Sequence, residues 1–323
     1  MYLYTVILIL LGYTKKEYFS TNMQTFINGV SALSIIYLYK DRAFKLSIIS
    51  LANAFTISIL IGVIKLKTIS MSIFELHDIA FAIGIVLFYF IAVKKYCSHK
   101  DLKYEYLFII FFTLAFKRIG IAAIFAIIIY WRIGLRMKRR PRVCYIRFSG
   151  IIVFLVCYFW VWLIISENLW IILDKLDIDM AGRDFYYKVF VDMCELNPKF
   201  MGMGRNSVAV LLATEYEYFH VGNIHSDIFR MYLEVGYILF ILWLLNYLCI
   251  MPELYKKSFG TSTMLYVSSI TIYMFILYLT DNTELYLVTQ YFYILSIYAY
   301  IKKIRIEIPI SYITNYISSK KLE

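Results

Sequence analysis

The chain has 323 residues, of which 62% are hydrophobic, 19% aromatic and only 17% charged, and its mean hydropathy is +0.70. This composition excludes an ordinary soluble domain and indicates a polytopic membrane protein. The formal net charge is +11, but the basic residues stand in short runs between apolar stretches, as topology signals do, so we expect no nucleic-acid partner. The five cysteines are scattered and form no C-x-x-C pair, which predicts neither a zinc site nor a disulfide framework.

The predicted elements are membrane helices. Because a hydrocarbon core of ~30 Å requires about 20 apolar residues per helix, the hydropathy pattern predicts about ten crossings. The first stretch lacks a basic n-region and a small-residue cleavage site, and we interpret it as a retained span. The candidate spans fall near 2–13, 23–39, 46–64, 76–93, 105–116, 119–131, 148–166, 228–250, 262–280 and 284–301.

The fold class predicted from these spans is all-α, a polytopic transmembrane helical bundle. Residues 1–165 form an N-terminal bundle of spans one to seven, 166–227 form one large external loop before the eighth span, and 228–323 hold spans eight to ten with a cytoplasmic tail. The segment "RIGLRMKRRPRVCYIR", 132–147, has seven basic residues and no acid, which predicts a cytoplasmic position. With both termini cytoplasmic, the other basic connections share that side and the acidic turn "TDNTEL", 280–285, lies outside.

The apolar stretch 105–131 is expected to cross the membrane twice, because its two flanks are both basic and both predicted inside. The break between the two short segments then falls at Lys117 and Arg118. A basic pair at this depth is a functional-site hypothesis. The alternative is one long helix over 105–131 with a snorkelling Lys-Arg pair.

The external loop contains ten acidic and five basic residues, yet two arginines stand in distinctive settings. Arg183 lies in "MAGRDFYYKVF" and Arg205 in "FMGMGRNSV". A guanidinium grips phosphate oxygens bidentately, and the preceding glycines permit exposed N–H groups of the kind that anion-binding loops use. On chemistry alone, solvated or structurally paired arginines, such as Arg183 with Asp184, explain the pattern as well.

The loop ends in "NIHSDIFRMYLEVGYILF", where polar residues precede the next span. The i,i+3 and i,i+4 spacing of Asp227, Arg230 and Glu234 predicts an internal ion-pair ladder. Glu234 lies about two turns into the helix and needs a partner there, while a role as a base stays open for it. His225 either caps the loop or takes part in chemistry. Gly236 is expected to allow the close approach of a neighbouring helix.

The order of these motifs resembles the superfamily of Wzy-type polysaccharide polymerases and O-antigen ligases. "KRIGIAA" at a short span, "GRDFYY", "GMGRNS" and the "H-S-x-x-F-x-x-x-x-E-x-G" pattern at 225–236 follow one another as in that family, over about 118–250. Ser226 stands where ligase-like members usually carry Asn, and the loop is short for the family. Both departures favour polymerase activity over ligase activity.

The resemblance implies a glycosyltransferase of GT-C-like helical architecture in the plasma (inner) membrane, without metal or cofactor. The donor is a glycan on undecaprenyl diphosphate, and the acceptor is a hydroxyl of the next lipid-linked repeat unit. A chain-length regulator and a flippase are expected partners. The catalytic residues expected are His225, Arg205 and Arg183. The residues expected to bind diphosphate or glycan are Lys117, Arg118, Arg230, Glu234, Asp281 and Asn282.

Several roles stay open at the level of sequence. Without metal, arginines replace it at the leaving group, and Arg118, Arg183 and Arg205 are the expected clamp. His225 deprotonates the acceptor hydroxyl or donates a hydrogen bond to the diphosphate. Asp281 and Asn282 line the acceptor site or simply form an external turn. A ligase, a lipid-linked glycan flippase or transporter, and a scaffolding membrane protein are the alternative functions.

Overall fold

The computed structural model describes residues 30–65, 77–94, 102–115, 117–177, 182–214 and 224–320. Every regular element within these ranges is helical, which confirms the all-α class. The predicted span at 2–13 and the beginning of the one at 23–39 lie outside the described residues. Residues 30–39 are helical and lead through the 3₁₀ turn Lys40–Arg42 into the first long helix.

The remaining helices are α1 (Ala43–Lys65), α2 (His77–Val93), α3 (Leu102–Ala115), α4 (Arg118–Arg136), α5 (Arg139–Ile165), α6 (Asn168–Leu176), α7 (Arg183–Val191), α8 (Ser207–Thr214), α9 (Asp227–Leu245), α10 (Met251–Phe259), α11 (Thr261–Thr280) and α12 (Leu287–Lys320). A π-helical segment, Asn246–Ile250, connects α9 to α10, and a 3₁₀ turn, Thr283–Leu285, lies between α11 and α12. The predicted external loop therefore contains three short helices, α6 to α8.

Four described segments are long and apolar enough to cross a membrane: Arg118–Arg136, Arg139–Ile165, Asp227–Phe259 and Thr261–Thr280. Shorter apolar segments occur at Ile79–Val93 and Glu105–Ala115. These helices indicate a membrane protein, while the count of ten spans and the GT-C-like arrangement stay predictions. The helix is interrupted at Lys117, whose extended backbone separates α3 from α4. The alternative prediction of one long helix over 105–131 is therefore wrong.

The core forms around α11, which packs against α4, α5 and α10 and is buried along most of its length. A helix that is apolar on all sides is suited to such a central position. Aromatic side chains fill the space between helices: Tyr266 of α11 stacks on Tyr300 of α12 with ring centroids 3.9 Å apart, and Trp131 of α4 meets both rings edge-on. Ring pairs of this kind add to the stabilisation from apolar burial.

Contacts between helix ends show that consecutive long helices run in opposite directions. Phe81 near the start of α2 stacks on Tyr286, just before α12, with ring centroids 6.1 Å apart. The starts of α2, α4, α9 and α12 and the end of α11 meet at one end of the bundle, which we call the Asp281 end. The basic segment 132–147 lies at the opposite end, on the ends of α4 and α5 rather than in a loop. There Arg142 donates from Nε to the Gly134 carbonyl at 2.7 Å.

Candidate functional site

The start of α9 fixes the position of His225. Ser226 is the N-cap, and its hydroxyl accepts from the Phe229 N–H at 3.3 Å and from the Trp160 indole at 3.2 Å. His225 precedes it with φ +50°, a left-handed conformation that few residues other than glycine adopt. The His225 side chain is half-buried, and its Nδ1 lies 3.4 Å from Nδ2 of Asn282.

The first two turns of α9 carry the predicted ion-pair ladder. Arg230 donates from Nη2 to Asp227 at 2.7 Å, and its Nη1 lies 3.5 Å from Glu234. All three side chains are buried, at 1% exposure or less. Charged groups at such depth require partners, and the spacing of the three residues supplies them. The ladder was correctly predicted from helical periodicity.

Arg205 joins the same cluster from the loop before α8. It is 4% exposed, and Nη1 pairs with Glu234 at 2.7 Å while Nη2 pairs with Glu284 at 2.8 Å. Glu284 also pairs with Arg230, so one carboxylate bridges two arginines. Burial opposes ionisation of Glu284, but the two guanidinium groups outweigh it and lower the pKa of this carboxyl to about 2.

The turn between α11 and α12 is held against the start of α9. The Asp281 carboxylate pairs with Lys117 at 3.2 Å and accepts from the Tyr286 hydroxyl at 2.9 Å. Although burial acts in the opposite direction, Lys117 and these hydrogen bonds lower the pKa of Asp281. The backbone N–H of Asp227 donates to the Asp281 carbonyl at 3.2 Å, and the N–H of Glu284 donates to the Asp227 carboxylate.

The loop 200–204 docks on a break in α9. Gly236 has φ +77° and ψ +177°, which interrupts the helix. The carbonyls of Leu233 and Glu234 accept instead from the N–H groups of Met203 and Gly204, both at 2.9 Å. Buried backbone groups must be hydrogen-bonded within the protein, and this exchange satisfies them.

Two expectations for the glycines are corrected by this arrangement. The N–H group of Gly204, which the glycine-rich setting predicted to bind an anion, donates to the carbonyl of Glu234 instead. Gly236 does permit a close approach, but its neighbour is the loop at Met201 and Gly202 rather than another helix.

The other two predicted arginines stand outside the buried cluster. Arg118 is exposed and follows the Lys117–Asp281 pair directly in the chain. Arg183 is half-buried at the start of α7, close enough to the Tyr187 hydroxyl to influence it. Neither arginine forms an ion pair with a described side chain. The side chain of Asp184, the alternative partner that the sequence offers for Arg183, lies outside the described ones.

Tyr187 connects Arg183 with the start of α9. Its ring meets Phe229 edge-on with centroids 5.6 Å apart. Burial raises the pKa of Tyr187 to about 12, although the Arg183 charge and the Ser226 hydroxyl act in the opposite direction. Because both groups act on the Tyr187 hydroxyl, Arg183 lies near the start of α9, where His225 and Ser226 are.

The charges of the paired residues decide which cations are available to a ligand. Three cations, Lys117, Arg205 and Arg230, are paired with four acids, Asp227, Glu234, Asp281 and Glu284, an excess of one negative charge. These pairs compensate Arg205, so among the described residues of the site the uncompensated cations are Arg118 and Arg183. Within the ranges that the structure describes, no group of three or more His, Cys, Asp or Glu is placed to hold a metal ion.

The structure brings seven of the nine predicted site residues into contact with one another, in three groups at the Asp281 end. Lys117 meets Asp281, Asn282 meets His225, and Arg205 and Arg230 each pair with both Glu234 and Glu284. Sequence reasoning missed Glu284 as the bridge. The signal available for it was the second acid in "TDNTEL", three residues after Asp281.

Comparison of the chain with protein-family models, curated proteins and solved structures finds no match.

Proposed function

We propose that this chain is an integral-membrane glycosyltransferase that polymerises undecaprenyl-diphosphate-linked repeat units into capsular polysaccharide, exopolysaccharide or O-antigen at the external face of the bacterial plasma membrane. One observation carries the proposal: a half-buried histidine at the start of α9 lies at the same end of the bundle as two arginines that no described acid neutralises. The motif order described above supports the choice of family.

Arg118 and Arg183 are the residues proposed to hold the diphosphate. A leaving diphosphate gains charge as its bond to the sugar breaks, and guanidinium groups stabilise that charge without metal. Arg205 serves differently, because its two terminal nitrogens already pair with the carboxylates of Glu234 and Glu284. We assign Arg205, Arg230 and Glu234 a positioning role, in which they hold the loop 200–206 and the turn 281–286 against α9.

His225 faces the amide nitrogen of Asn282 through Nδ1. We propose the tautomer in which Nδ1 accepts from Asn282 and Nε2 carries the proton of the neutral ring. In this state His225 is a hydrogen-bond donor to an oxygen of the diphosphate rather than a base. The acceptor hydroxyl attacks the anomeric carbon, a glycosidic bond forms as the bond to the diphosphate oxygen breaks, and the hydroxyl proton leaves to water.

The rival functions differ in what they require of the bundle. A transporter requires charged residues along a path through the membrane midplane. Here the described network of charges gathers at the Asp281 end, which favours a surface reaction over transport. A ligase would use the same residues and transfer the finished glycan to another acceptor. The proposed partners are therefore the lipid-linked donor and acceptor, with a chain-length regulator and a flippase acting beside them.

A gel profile of lipid-linked and surface glycan tests the proposal. Cells that carry a deletion of the gene are complemented with wild type, with His225→Ala or with the double variant Arg118→Gln/Arg183→Gln. A polymerase predicts single repeat units in the deletion and in both variants, at unchanged protein level. Long polymer retained on the lipid would establish the ligase instead. Repeat units trapped on the cytoplasmic leaflet would establish the flippase.

A further inference from the structure

A small polar cavity lies beside the candidate site, between the start of α6 and the end of α7. Its volume is about 170 Å³, and it is lined by Glu167, Trp170, Lys188, Val191 and Asp192. Drug-sized ligand pockets span roughly 300–1,000 Å³. The cavity is smaller and therefore suits a ligand of about one ring.

Aromatic contacts link this cavity to the start of α9. Trp170 stacks on Tyr187 with ring centroids 6.4 Å apart, and Tyr187 in turn meets Phe229 edge-on. The Tyr187 hydroxyl adjoins Ser226, the residue after His225. The cavity is thus separated from the proposed reaction site by one tyrosine, on the side where Arg183 lies.

The groups that line the cavity indicate the class of ligand. Glu167 and Asp192 offer carboxylate oxygens that accept from hydroxyl groups, and Lys188 offers an ammonium group that donates to them. The Lys188 ammonium lies 5.1 Å from the centre of the Trp170 ring, which forms the apolar wall. The indole Nε1 of Trp170 is buried and has no hydrogen-bond partner among the described residues, so the wall that Trp170 presents is its ring.

The charge of the cavity argues against an anion. Two acids and one lysine give a net charge of −1, which repels a diphosphate, and Lys188 disfavours a metal ion. Glu167 and Asp192 are exposed, and neither forms an ion pair with another described side chain, so both carboxylates are available. Alternating acceptors and donors around one apolar wall fit a ring that carries several hydroxyl groups.

We propose that this cavity is a sugar-binding subsite, which holds an uncharged or amino sugar ring of the glycan. The diphosphate end of the same glycan then lies near Arg183. The identity of the glycan rests on the proposed function, whereas the existence of the subsite does not. A subsite beside the reaction centre retains the growing chain between additions. Its loss therefore shortens the polymer without abolishing polymerisation.

Direct binding tests the subsite apart from any reaction. The full-length protein in detergent is titrated, by calorimetry, with the repeat-unit oligosaccharide obtained by depolymerising the cells' own surface polysaccharide. Glu167→Gln/Asp192→Asn is expected to weaken binding about tenfold through two weakened hydrogen bonds. Trp170→Phe, which keeps an aromatic but smaller wall, is expected to weaken it less. Glu195→Gln, an exposed acid near α7 that does not line the cavity, is the matched control and should bind like wild type.

The same variants are then compared on glycan gels. Shorter modal chain length in Glu167→Gln/Asp192→Asn, with wild-type length in Glu195→Gln, supports the subsite. Equal oligosaccharide binding in wild type and the double variant, or no binding to wild type, overturns it even when His225→Ala abolishes polymer. Tenfold weaker binding together with normal polymer in His225→Ala would keep the subsite and reject the proposed function.

Discussion

Gly202 and Gly236 lie back to back, so closely that neither position has room for a β-carbon. A β-carbon on Gly202 would be 2.4 Å from the backbone nitrogen of Gly236, and one on Gly236 would be 2.3 Å from the carbonyl carbon of Met201. Both glycines also have positive φ. This contact seats the loop that carries Arg205 on the break in α9, so the buried ion cluster depends on it.

Alanine at Gly236 is therefore expected to destabilise the protein strongly. The atoms in the way are backbone, which cannot rotate aside, and the positive φ adds about 1–2 kcal/mol of strain. Gly260→Ala is the matched control, because Gly260 has φ +88° but nothing within 4 Å of its β-carbon position. Thermal unfolding in detergent should show a much larger drop for Gly236→Ala. Equal drops in melting temperature for the two variants would mean that backbone strain, and not the lack of space at Gly236, causes the loss of stability.

The bridge through Glu284 makes a second prediction. Glu284→Gln removes the carboxylate that bridges Arg205 and Arg230, but Arg205 keeps Glu234 and Arg230 keeps Asp227 as partners. The loss of charge-assisted hydrogen bonds should therefore cost about 1–3 kcal/mol. Because Arg205 and Glu284 share an interaction, Arg205→Met and Glu284→Gln combined should cost less than the sum of the two single losses. Arg147→Met breaks a largely exposed pair with Glu253 and should leave the melting temperature almost unchanged. Additive losses in the double variant would argue against the bridge.

Hydropathy and helical spacing were sufficient for part of this architecture. They located the long helices, the break before Arg118 and the ladder from Asp227 to Glu234, because each depends on residues close in sequence. The burial of Arg205 was not predictable in this way. Its partners, Glu234 and Glu284, are far along the chain, and a glycine-flanked arginine has the same local pattern whether it meets a buried carboxylate or a phosphate.

The same limit applies to residues 166–227, the loop predicted to be external. Its length and acidic composition predicted one long loop. Short helices form there because Leu169, Tyr187 and Phe190 are buried in the core. Helices of nine residues are marginal alone and are stabilised by such packing. Tertiary contacts of this kind leave little periodic signal in a short sequence window.

Acid should destabilise the bundle through Glu284. The pKa of this carboxyl is about 2 in the folded state, below the ordinary value of about 4.3. Its contribution to stability is therefore complete above about pH 4.3 and is lost as the pH falls toward 2. Melting curves of wild type should shift downward over that interval, whereas Glu284→Gln should show a flatter acid dependence. Parallel curves for the two proteins would show that Glu284 is not the group that titrates.

Lys117 and Arg118 are adjacent but are expected to behave differently. Lys117→Met leaves the carboxylate of Asp281, which is 3% exposed, without its cation and should cost about 1–3 kcal/mol of stability. Arg118→Gln removes an exposed charge that has no described partner and should leave the melting temperature unchanged while it abolishes polymer. Melting curves and glycan gels of the two variants make the comparison. Loss of stability in Arg118→Gln would indicate a structural role.

The role of His225 is decided by the variant that keeps a donor. Loss of one donor to a developing oxyanion typically costs about 10²–10³ in rate, and His225→Ala should lose polymerisation to that extent. Gln at this position presents an N–H near the place of Nε2, so His225→Gln should retain more activity than His225→Ala. If His225→Gln is as inactive as His225→Ala, the donor role is wrong and His225 is the base instead.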